Sequence, residues 1–159
     1  HGTDPSEFLA FVHDVDLSAV TPDPALGRGL DGLPGRKFLF TNADTTYATR
    51  VLDRLGVGGA FDAIFDIVAG GYVPKPHPTA YERLLSYHGI EPGRAALFED
   101  LPRNLAPAAA LGMTTVWVRN DAEWAQSDFK AEHGVDHVVD ELGLWLDDLA
   151  AALAGSRVL

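Results

Sequence analysis

Three groups of polar residues stand where side chains could do chemistry. The first is the pair Thr41-Asn42, the second is Lys75 between two prolines, and the third is Glu99-Asp100 with Asn104 four residues further on. A hydroxyl can donate to a phosphate oxygen, and an ammonium can neutralise phosphate charge. Carboxylate and amide oxygens are the ligands that Mg²⁺ prefers in proteins. Together these residue types predict a site for a phosphate group and a magnesium ion.

Each group alone also has a simpler structural explanation. A Thr-Asn pair after a strand commonly forms a turn or caps a helix, and a lysine between prolines is commonly a solvated loop residue. Adjacent carboxylates before a helix often serve only as a cap and as partners of the helix dipole. The three groups in this order along one chain are therefore more specific than any one of them.

The segments around these groups alternate between apolar runs typical of strands and periodic patterns typical of helices. We predict helices over residues 5–15, 24–33, 45–55, 79–88, 104–111 and 142–153. We predict strands over residues 37–40, 63–68, 95–98, 113–118 and 137–139. This alternation predicts an α/β fold, a parallel sheet flanked by helices. Since the carboxyl ends of parallel strands share one edge of a sheet, all three polar groups are expected there.

Composition excludes several classes of function. The 159 residues, 47% of them hydrophobic, suffice for one well-buried domain core. A net charge of -11 argues against a nucleic-acid-binding protein and against a polybasic membrane anchor. The chain has no cysteine, which excludes disulfides and thiolate chemistry in it.

No apolar run approaches the length of a membrane span, and the start lacks a basic-then-apolar signal pattern. A cytoplasmic protein is therefore expected. The chain does not begin with Met, and residues 1–5 have the composition of a loop before a helix. We expect the chain to be a fragment of a longer protein.

The polar groups and their neighbours resemble the second, third and fourth motifs of the haloacid dehalogenase-like hydrolase superfamily. The matching stretches are Leu39-Phe40-Thr41-Asn42, Pro74-Lys75-Pro76 with Tyr81, and Phe98-Glu99-Asp100 with Asn104-Leu105 and Gly112-Met113. The segment Leu33–Lys37 is similar to a lead-in found in the pyrimidine 5'-nucleotidase-like phosphatases, the branch that the chain resembles most. The resemblance extends over residues 4–118.

The resemblance implies a Rossmann-like core and a magnesium-dependent phosphomonoesterase that works through an aspartyl-phosphate. It implies that Thr41 and Asn42 bind phosphate and that Lys75 steadies the nucleophile and the phosphate. Asp100 would be a Mg²⁺ ligand, supported by Glu99 and Asn104. Residues 1–20 would be the end of a helical cap with its return linker, and residues 21–159 the core. The implied ligand is a small phosphorylated metabolite.

The chain departs from the family pattern at two points. Many relatives have serine after the acidic pair, where this chain has Leu101. More importantly, the first motif, a strand that ends in Asp-x-Asp and supplies the nucleophile, is expected upstream of the other three. Asp14-Val15-Asp16 has that form and is one candidate.

The surroundings of Asp14 argue against that assignment. The apolar residues at 8–12 have helical spacing, and no glycine follows Asp16. Only seven residues separate Asp16 from Pro24, too few for the hairpin-like flap that follows the nucleophile in the family. We therefore expect the nucleophile strand, which lies mid-sheet in the family, to belong to a missing N-terminal segment. This segment would be a partner of the core, and the chain alone would be inactive.

Two alternatives remain open. The first keeps the fold but attacks the carbon of a 2-haloacid, a reaction that needs no magnesium and has no use for Glu99-Asp100. The second is a noncatalytic phosphate-binding or receiver-like domain. Receivers place the phosphoacceptor aspartate before the threonine and lysine, whereas here Asp100 follows Thr41 and Lys75.

Overall fold

The computed structural model describes residues 13, 15–119 and 134–155. Its helices are α1 (Pro24–Gly32), α2 (Thr45–Leu55), α3 (Pro78–His88), α4 (Ala106–Ala110) and α5 (Leu142–Gly155). Its strands are β1 (Phe38–Phe40), β2 (Ala63–Phe65), β3 (Ala96–Glu99), β4 (Thr114–Val118) and β5 (His137–Val139). Short 3₁₀ helices lie at Pro92–Arg94 and Pro102–Asn104. The predicted helix at 5–15 falls largely outside the described residues.

The chain divides into two compact units, each described here by itself. The first contains the chain up to Gly71 and again from Leu146 onward, and the second is Tyr72–Trp145. In the first unit β1 and β2 pair in parallel, with Phe40 opposite Phe65. In the second unit β3, β4 and β5 form a parallel sheet in that order. Parallel strands with helices between them confirm the predicted α/β fold.

Helix α1 lies directly against α5 in the first unit. Asp23 caps the start of α1 by accepting a hydrogen bond from the Leu26 backbone N–H, and Pro24 occupies the first turn. Further along, Gly29 and Gly32 face α5, where a methyl group on either would come within 2.6 Å of Leu146 or Ala150, respectively. The glycines thus allow an approach that any larger residue would prevent.

Helix α2 begins and ends at clear capping residues. The Asp44 carboxylate accepts a hydrogen bond from the Tyr47 backbone N–H at 2.8 Å. At the other end Gly56 adopts a left-handed conformation, with φ of 78°, and closes the helix as its sequence position predicts. Ala48 and Leu52 form the buried face between these caps. The start of α2 is thereby fixed directly after Thr41-Asn42.

The segment before α1, which we term the linker segment (residues 13 and 15–20), is bound to α2 through its backbone. The Arg50 guanidinium donates to the carbonyl oxygens of His13 and Val15, at 3.1 and 3.0 Å. The Arg54 guanidinium donates to two further carbonyl oxygens, those of Ser18 and Val20. The domain boundary predicted at residue 20 falls at the end of this segment and stays a prediction.

The sheet of the second unit is centred on β4. Thr115, Val116 and Trp117 of this strand are buried, with Thr115 fully so. The Thr115 hydroxyl donates to the Gly134 carbonyl at 2.6 Å, which fixes the approach to β5. On the neighbouring strand, Phe98 packs edge-on against Trp145 of α5. The continuous apolar pattern of residues 114–118 is therefore that of a central strand.

Two elements differ from the sequence prediction. The strand predicted over 63–68 ends at Phe65, because the Asp66 carboxylate accepts a hydrogen bond from Ala69 N–H and turns the chain. The helix predicted over 104–111 is instead a 3₁₀ turn followed by the short α4. Pro102 and Pro107 each lack a backbone donor, which limits a continuous helix there. The nucleophile strand, which we expect to lie mid-sheet and to belong to a missing segment, stays a prediction. In the structure β1 and β3 belong to different sheets.

Within the described residues, none of the helices combines the length and the apolar character that crossing a membrane requires.

Candidate active site

The predicted site residues fall into the two units. Thr41 and Asn42 follow β1 in the first unit, whereas Lys75, Glu99, Asp100 and Asn104 belong to the second. The structure brings the latter four together around the end of β3. Each group is described within its own unit.

A buried ion pair is the centre of the group in the second unit. The Lys75 ammonium nitrogen lies 2.5 Å from Glu99 Oε2, and their side chains are only 10% and 6% exposed. Glu99 is the last residue of β3, and Lys75 lies in the proline-rich loop before α3. Since an isolated buried charge is costly, each of these two residues requires the other.

The second oxygen of Glu99 is held by donors from the loop that follows β3. Glu99 Oε1 accepts a hydrogen bond from the Asn104 side-chain amide at 3.0 Å and a longer one from Leu101 N–H. Asn104 is itself buried, at 3% exposed. Both Glu99 oxygens thus accept bonds from the protein, so this carboxylate orients Lys75 and the loop.

Asp100 differs from its neighbour because its side chain is exposed. Its backbone carbonyl accepts a hydrogen bond from the Trp117 indole at 3.1 Å, which fixes the chain at this residue. Partial desolvation, followed by the hydrogen bond and the charge of Glu99, raises the pKa of the Asp100 carboxyl above its ordinary value. A cation beside Asp100 would relieve this repulsion.

Tyr81 supports the loop after β3 through a hydrogen bond to its backbone. Its side chain is fully buried in α3, and its hydroxyl donates to the Asn104 backbone carbonyl at 2.5 Å. Burial, and then the Glu99 charge, raises the pKa of Tyr81, so that the hydroxyl keeps its proton at neutral pH. Tyr81 therefore positions the backbone that presents Asn104 to Glu99.

We expect Tyr81→Phe to destabilise the chain by about 1–2 kcal/mol, because it leaves the buried Asn104 carbonyl without this donor. Urea-induced unfolding measures the change. Tyr87→Phe is the matched control on the same helix: Tyr87 is 75% exposed, and its variant is expected to stay within about 0.5 kcal/mol of the wild type. Equal stabilities of the two variants would contradict this role of Tyr81.

In the first unit, residues 41–44 join β1 to α2, and we term these residues together with Thr45, the first residue of α2, the Thr41 loop. The Thr41 hydroxyl oxygen accepts a hydrogen bond from Ala43 N–H at 3.0 Å, which leaves its proton for a ligand. Asn42 is exposed at the outside of the loop. At the end of the loop, His13 Nδ1 donates to Asp44 Oδ2 at 2.6 Å, and the His13 ring stacks on Tyr47.

The candidate nucleophile Asp14 lies outside the described residues. Asp16 is described and exposed, and its carboxylate accepts hydrogen bonds from the backbone N–H and the hydroxyl of Ser18, at 2.8 and 2.7 Å. These bonds are those of a side chain that closes a local turn. They give a structural role to Asp16.

Sequence reasoning did not predict the contacts of three residues that organise these groups. Asp66 and Thr45 hold the Thr41 loop, and Tyr81 holds the loop after β3. Asp66 directly follows an apolar run, as Glu99-Asp100 does, and this position could have revealed it. Tyr81 was included in the resemblance to the third motif, but nothing in the sequence indicated what its hydroxyl binds.

Among the described residues of the second unit, Asp100 offers an exposed carboxylate for a magnesium ion. No cluster of three or more His, Asp or Glu side chains suited to a metal occurs in the part of the chain that the structure describes. Asp100 fits a hard divalent cation, with Glu99 and Asn104 in support through their mutual hydrogen bond. Further oxygen ligands would have to come from substrate, water or another segment.

Comparison with known proteins identifies the family of the chain. The sequence model of the haloacid dehalogenase-like hydrolases matches residues 27–112, more than half of the chain. The chain belongs to this family of hydrolases. Over 84 residues it is 32% identical to the enolase-phosphatase E1 of Sorangium cellulosum (strain So ce56), a match that covers 53% of this chain and 34% of that protein.

Solved structures of the family are similar to the chain. L-2-haloacid dehalogenase from Xanthobacter autotrophicus has a TM-score of 0.66 at 20% identity, and the match covers 85% of this chain and 62% of that one. The HAD phosphatase from Thermococcus onnurineus has a TM-score of 0.61 at 21% identity, covering 99% and 67%. At such identities the likeness shows the fold alone. The chain spans about a third of the enolase-phosphatase and less than two thirds of the dehalogenase.

Proposed function

We propose that this member of the haloacid dehalogenase-like hydrolases is the core of a magnesium-dependent phosphomonoesterase. The observation that supports it most is the buried Lys75–Glu99 pair with the exposed Asp100 carboxylate beside it. Attack on phosphorus develops negative charge that an ammonium and a divalent cation stabilise. The enolase-phosphatase, at 32% identity, is itself a phosphatase by name.

In this proposal each residue has a defined task. The Thr41 hydroxyl donates to a phosphate oxygen, and Asn42 contributes its amide. Glu99 holds the Lys75 ammonium in place, so that it need not reorganise when phosphate binds. Asp100 helps to hold Mg²⁺, which supplies charge neutralisation at the phosphate.

The proposed reaction has two displacements at phosphorus. A carboxylate oxygen of an aspartate attacks the phosphomonoester, and the ester oxygen leaves with a proton as the alcohol. Water then attacks the resulting aspartyl-phosphate, which releases inorganic phosphate and restores the carboxylate. We propose that a segment upstream of this chain supplies the aspartate and acts as the partner of the core, and that the chain alone is inactive.

The proposed substrate class is a small phosphorylated metabolite. A pyrimidine nucleoside 5'-monophosphate is the first substrate to test, because Leu33–Lys37 resembles the lead-in of phosphatases with that activity. A small phosphorylated metabolite is compatible with the cytoplasmic location that we also propose.

Dehalogenation of a 2-haloacid is the second candidate, because the family includes L-2-haloacid dehalogenases with the same fold. That reaction displaces a halide from carbon and gives no task to Asp100. A noncatalytic phosphate-binding module is the third and predicts ligand binding without turnover.

Titration of MgCl₂ into the chain tests the metal role without requiring turnover. We expect Asp100→Asn to weaken Mg²⁺ binding by about tenfold, because it removes the charged ligand. Asp148→Asn removes the same charge from an exposed position of α5 and is expected to bind as the wild type does. Equal affinities of all three proteins would contradict the role of Asp100.

Activity is measured on the full-length natural protein. Magnesium-dependent release of phosphate from p-nitrophenyl phosphate, lost in Asp100→Asn, would support the proposal. Magnesium-independent release of chloride from 2-chloropropionate would support the dehalogenase instead. Phosphate binding with neither reaction would favour the noncatalytic module.

A further inference from the structure

The two strands of the first unit bring two loops side by side. Phe40 ends β1 opposite Phe65, which ends β2, so that Thr41 and Asp66 follow at neighbouring positions. The Thr41 N–H donates to the Phe65 carbonyl at 3.0 Å, and this bond extends the ladder by one step. Beyond that point the Thr41 loop leaves the sheet.

The Asp66 carboxylate holds the far end of this loop. Asp66 is 8% exposed, and its Oδ2 accepts from the Thr45 backbone N–H at 3.0 Å and from the Thr45 hydroxyl at 2.7 Å. Its Oδ1 accepts from Ala69 N–H at 2.7 Å. One buried carboxylate thus joins the start of α2 to the turn after β2.

Backbone bonds hold the middle of the Thr41 loop against β2, and the Ala48 N–H, which donates to the Asp44 carbonyl at 3.0 Å, holds the end of the loop to α2. The Ile67 N–H donates to the Ala43 carbonyl at 3.2 Å, which holds the middle of the loop. The bonds from Thr45 to Asp66 are the ones that fix its last residue against β2. Because the Thr41 hydroxyl accepts from Ala43 N–H, its orientation depends on this whole arrangement.

The chemistry of the position requires a carboxylate. The Thr45 N–H and hydroxyl and the N–H groups of Val68 and Ala69 all donate to the Asp66 carboxylate, so an asparagine amide nitrogen would oppose one of them. Burial raises the pKa of Asp66, but the bonds from Ala69 and Thr45 outweigh it and lower the pKa below its ordinary value. Asp66 is therefore an ionised acceptor at neutral pH.

We propose that Asp66 is a positioning residue for phosphate binding, acting through Thr45 to hold the Thr41 loop in its ligand-ready form. This inference rests on the proposed function, because it takes Thr41 as a phosphate donor. Asp66 itself touches neither the phosphate nor the metal in this proposal.

Titration of inorganic phosphate into the chain, followed by the amide NMR signals of residues 41–45, tests the proposal. We expect Thr45→Val to raise the phosphate dissociation constant by about tenfold, because it removes the hydroxyl that Asp66 holds. Thr45→Ser keeps that hydroxyl and is expected to restore binding. Thr49→Val makes the same change one turn further along α2, at an exposed residue, and is expected to bind as the wild type does.

Amide hydrogen exchange of Ala43 and Thr45, without phosphate, provides a second readout. We expect faster exchange in Thr45→Val and in Asp66→Asn, with wild-type exchange in Thr45→Ser and Thr49→Val. Unchanged exchange and unchanged phosphate affinity in Thr45→Val would each overturn the role of Asp66. If the wild type binds no phosphate, the phosphate role of Thr41 is wrong, and the exchange data alone decide whether Asp66 holds the loop.

Discussion

Replacement of Lys75 by methionine is expected to destabilise the chain by about 3 kcal/mol, because it leaves the Glu99 carboxylate buried without its counterion. In the variant the Asn104 amide and the Leu101 N–H still donate to Glu99, but both are neutral. Methionine keeps most of the volume of the lysine stem, so that the lost charge dominates the effect. Urea unfolding without phosphate or Mg²⁺ measures it.

A double-mutant cycle separates the ion pair from general effects of each substitution. Glu99→Gln in the Lys75→Met background is expected to recover part of the stability, with a coupling energy of about 2 kcal/mol. Lys37→Met is the control: the Lys37 ammonium donates only to the carbonyls of Leu33 and Gly35, at 3.3 and 3.4 Å. A Lys75→Met protein as stable as Lys37→Met would show that the pair contributes little.

Alanine at Gly29 and alanine at Gly27 are expected to change stability in opposite directions, although both lie in α1. A methyl group at Gly29 would lie 2.8 Å from the Asp147 backbone nitrogen, so α1 and α5 would have to separate. At Gly27 it would meet only Val57 Cγ1, at an ordinary 3.9 Å. An overly close approach at Gly29 and an ordinary van der Waals contact at Gly27 thus distinguish the two variants.

We expect Gly29→Ala to cost about 2 kcal/mol, because the overpacking exceeds the gain of about 1 kcal/mol in helix propensity. Gly27→Ala keeps that gain and is expected to stabilise the chain by up to about 1 kcal/mol. Thermal and urea unfolding of both variants measure the difference. Gly29→Ala at least as stable as Gly27→Ala would contradict the close packing of α1 against α5.

Most helices and strands could be predicted from sequence because their ends carry local signals. Helical periodicity predicted α2 with its observed bounds, Thr45–Leu55, and the structure shows Asp44 and Gly56 capping its two ends. The strands predicted over residues 113–118 and 137–139 match β4 and β5 to within one residue at each end. Predictions were less accurate where a side chain or proline interrupts the backbone, as Asp66 does after β2 and Pro107 does in the predicted helix at 104–111.

The candidate site was predicted by residue type but without its internal organisation. The motif order and the parallel sheet predicted Lys75 and Glu99-Asp100 at one edge of the sheet, and in the structure Lys75 and Glu99 form an ion pair. The sequence could not distinguish Glu99 from Asp100, because the two are carboxylates in adjacent positions. In the structure Glu99 accepts hydrogen bonds from Lys75 and Asn104, whereas Asp100 is exposed. Which oxygen accepts which hydrogen bond depends on side-chain directions that appear only once the fold is assembled.

The contact between Arg50, Arg54 and the linker segment affects which substitutions the chain can tolerate. Both arginines bind backbone carbonyl oxygens, which every amino acid carries, so the linker segment can change its side chains without losing the attachment. The two arginines have no such freedom, because a lysine at either position could not reproduce two diverging N–H donors. Related proteins are therefore expected to vary along residues 15–20 more than at Arg50 and Arg54.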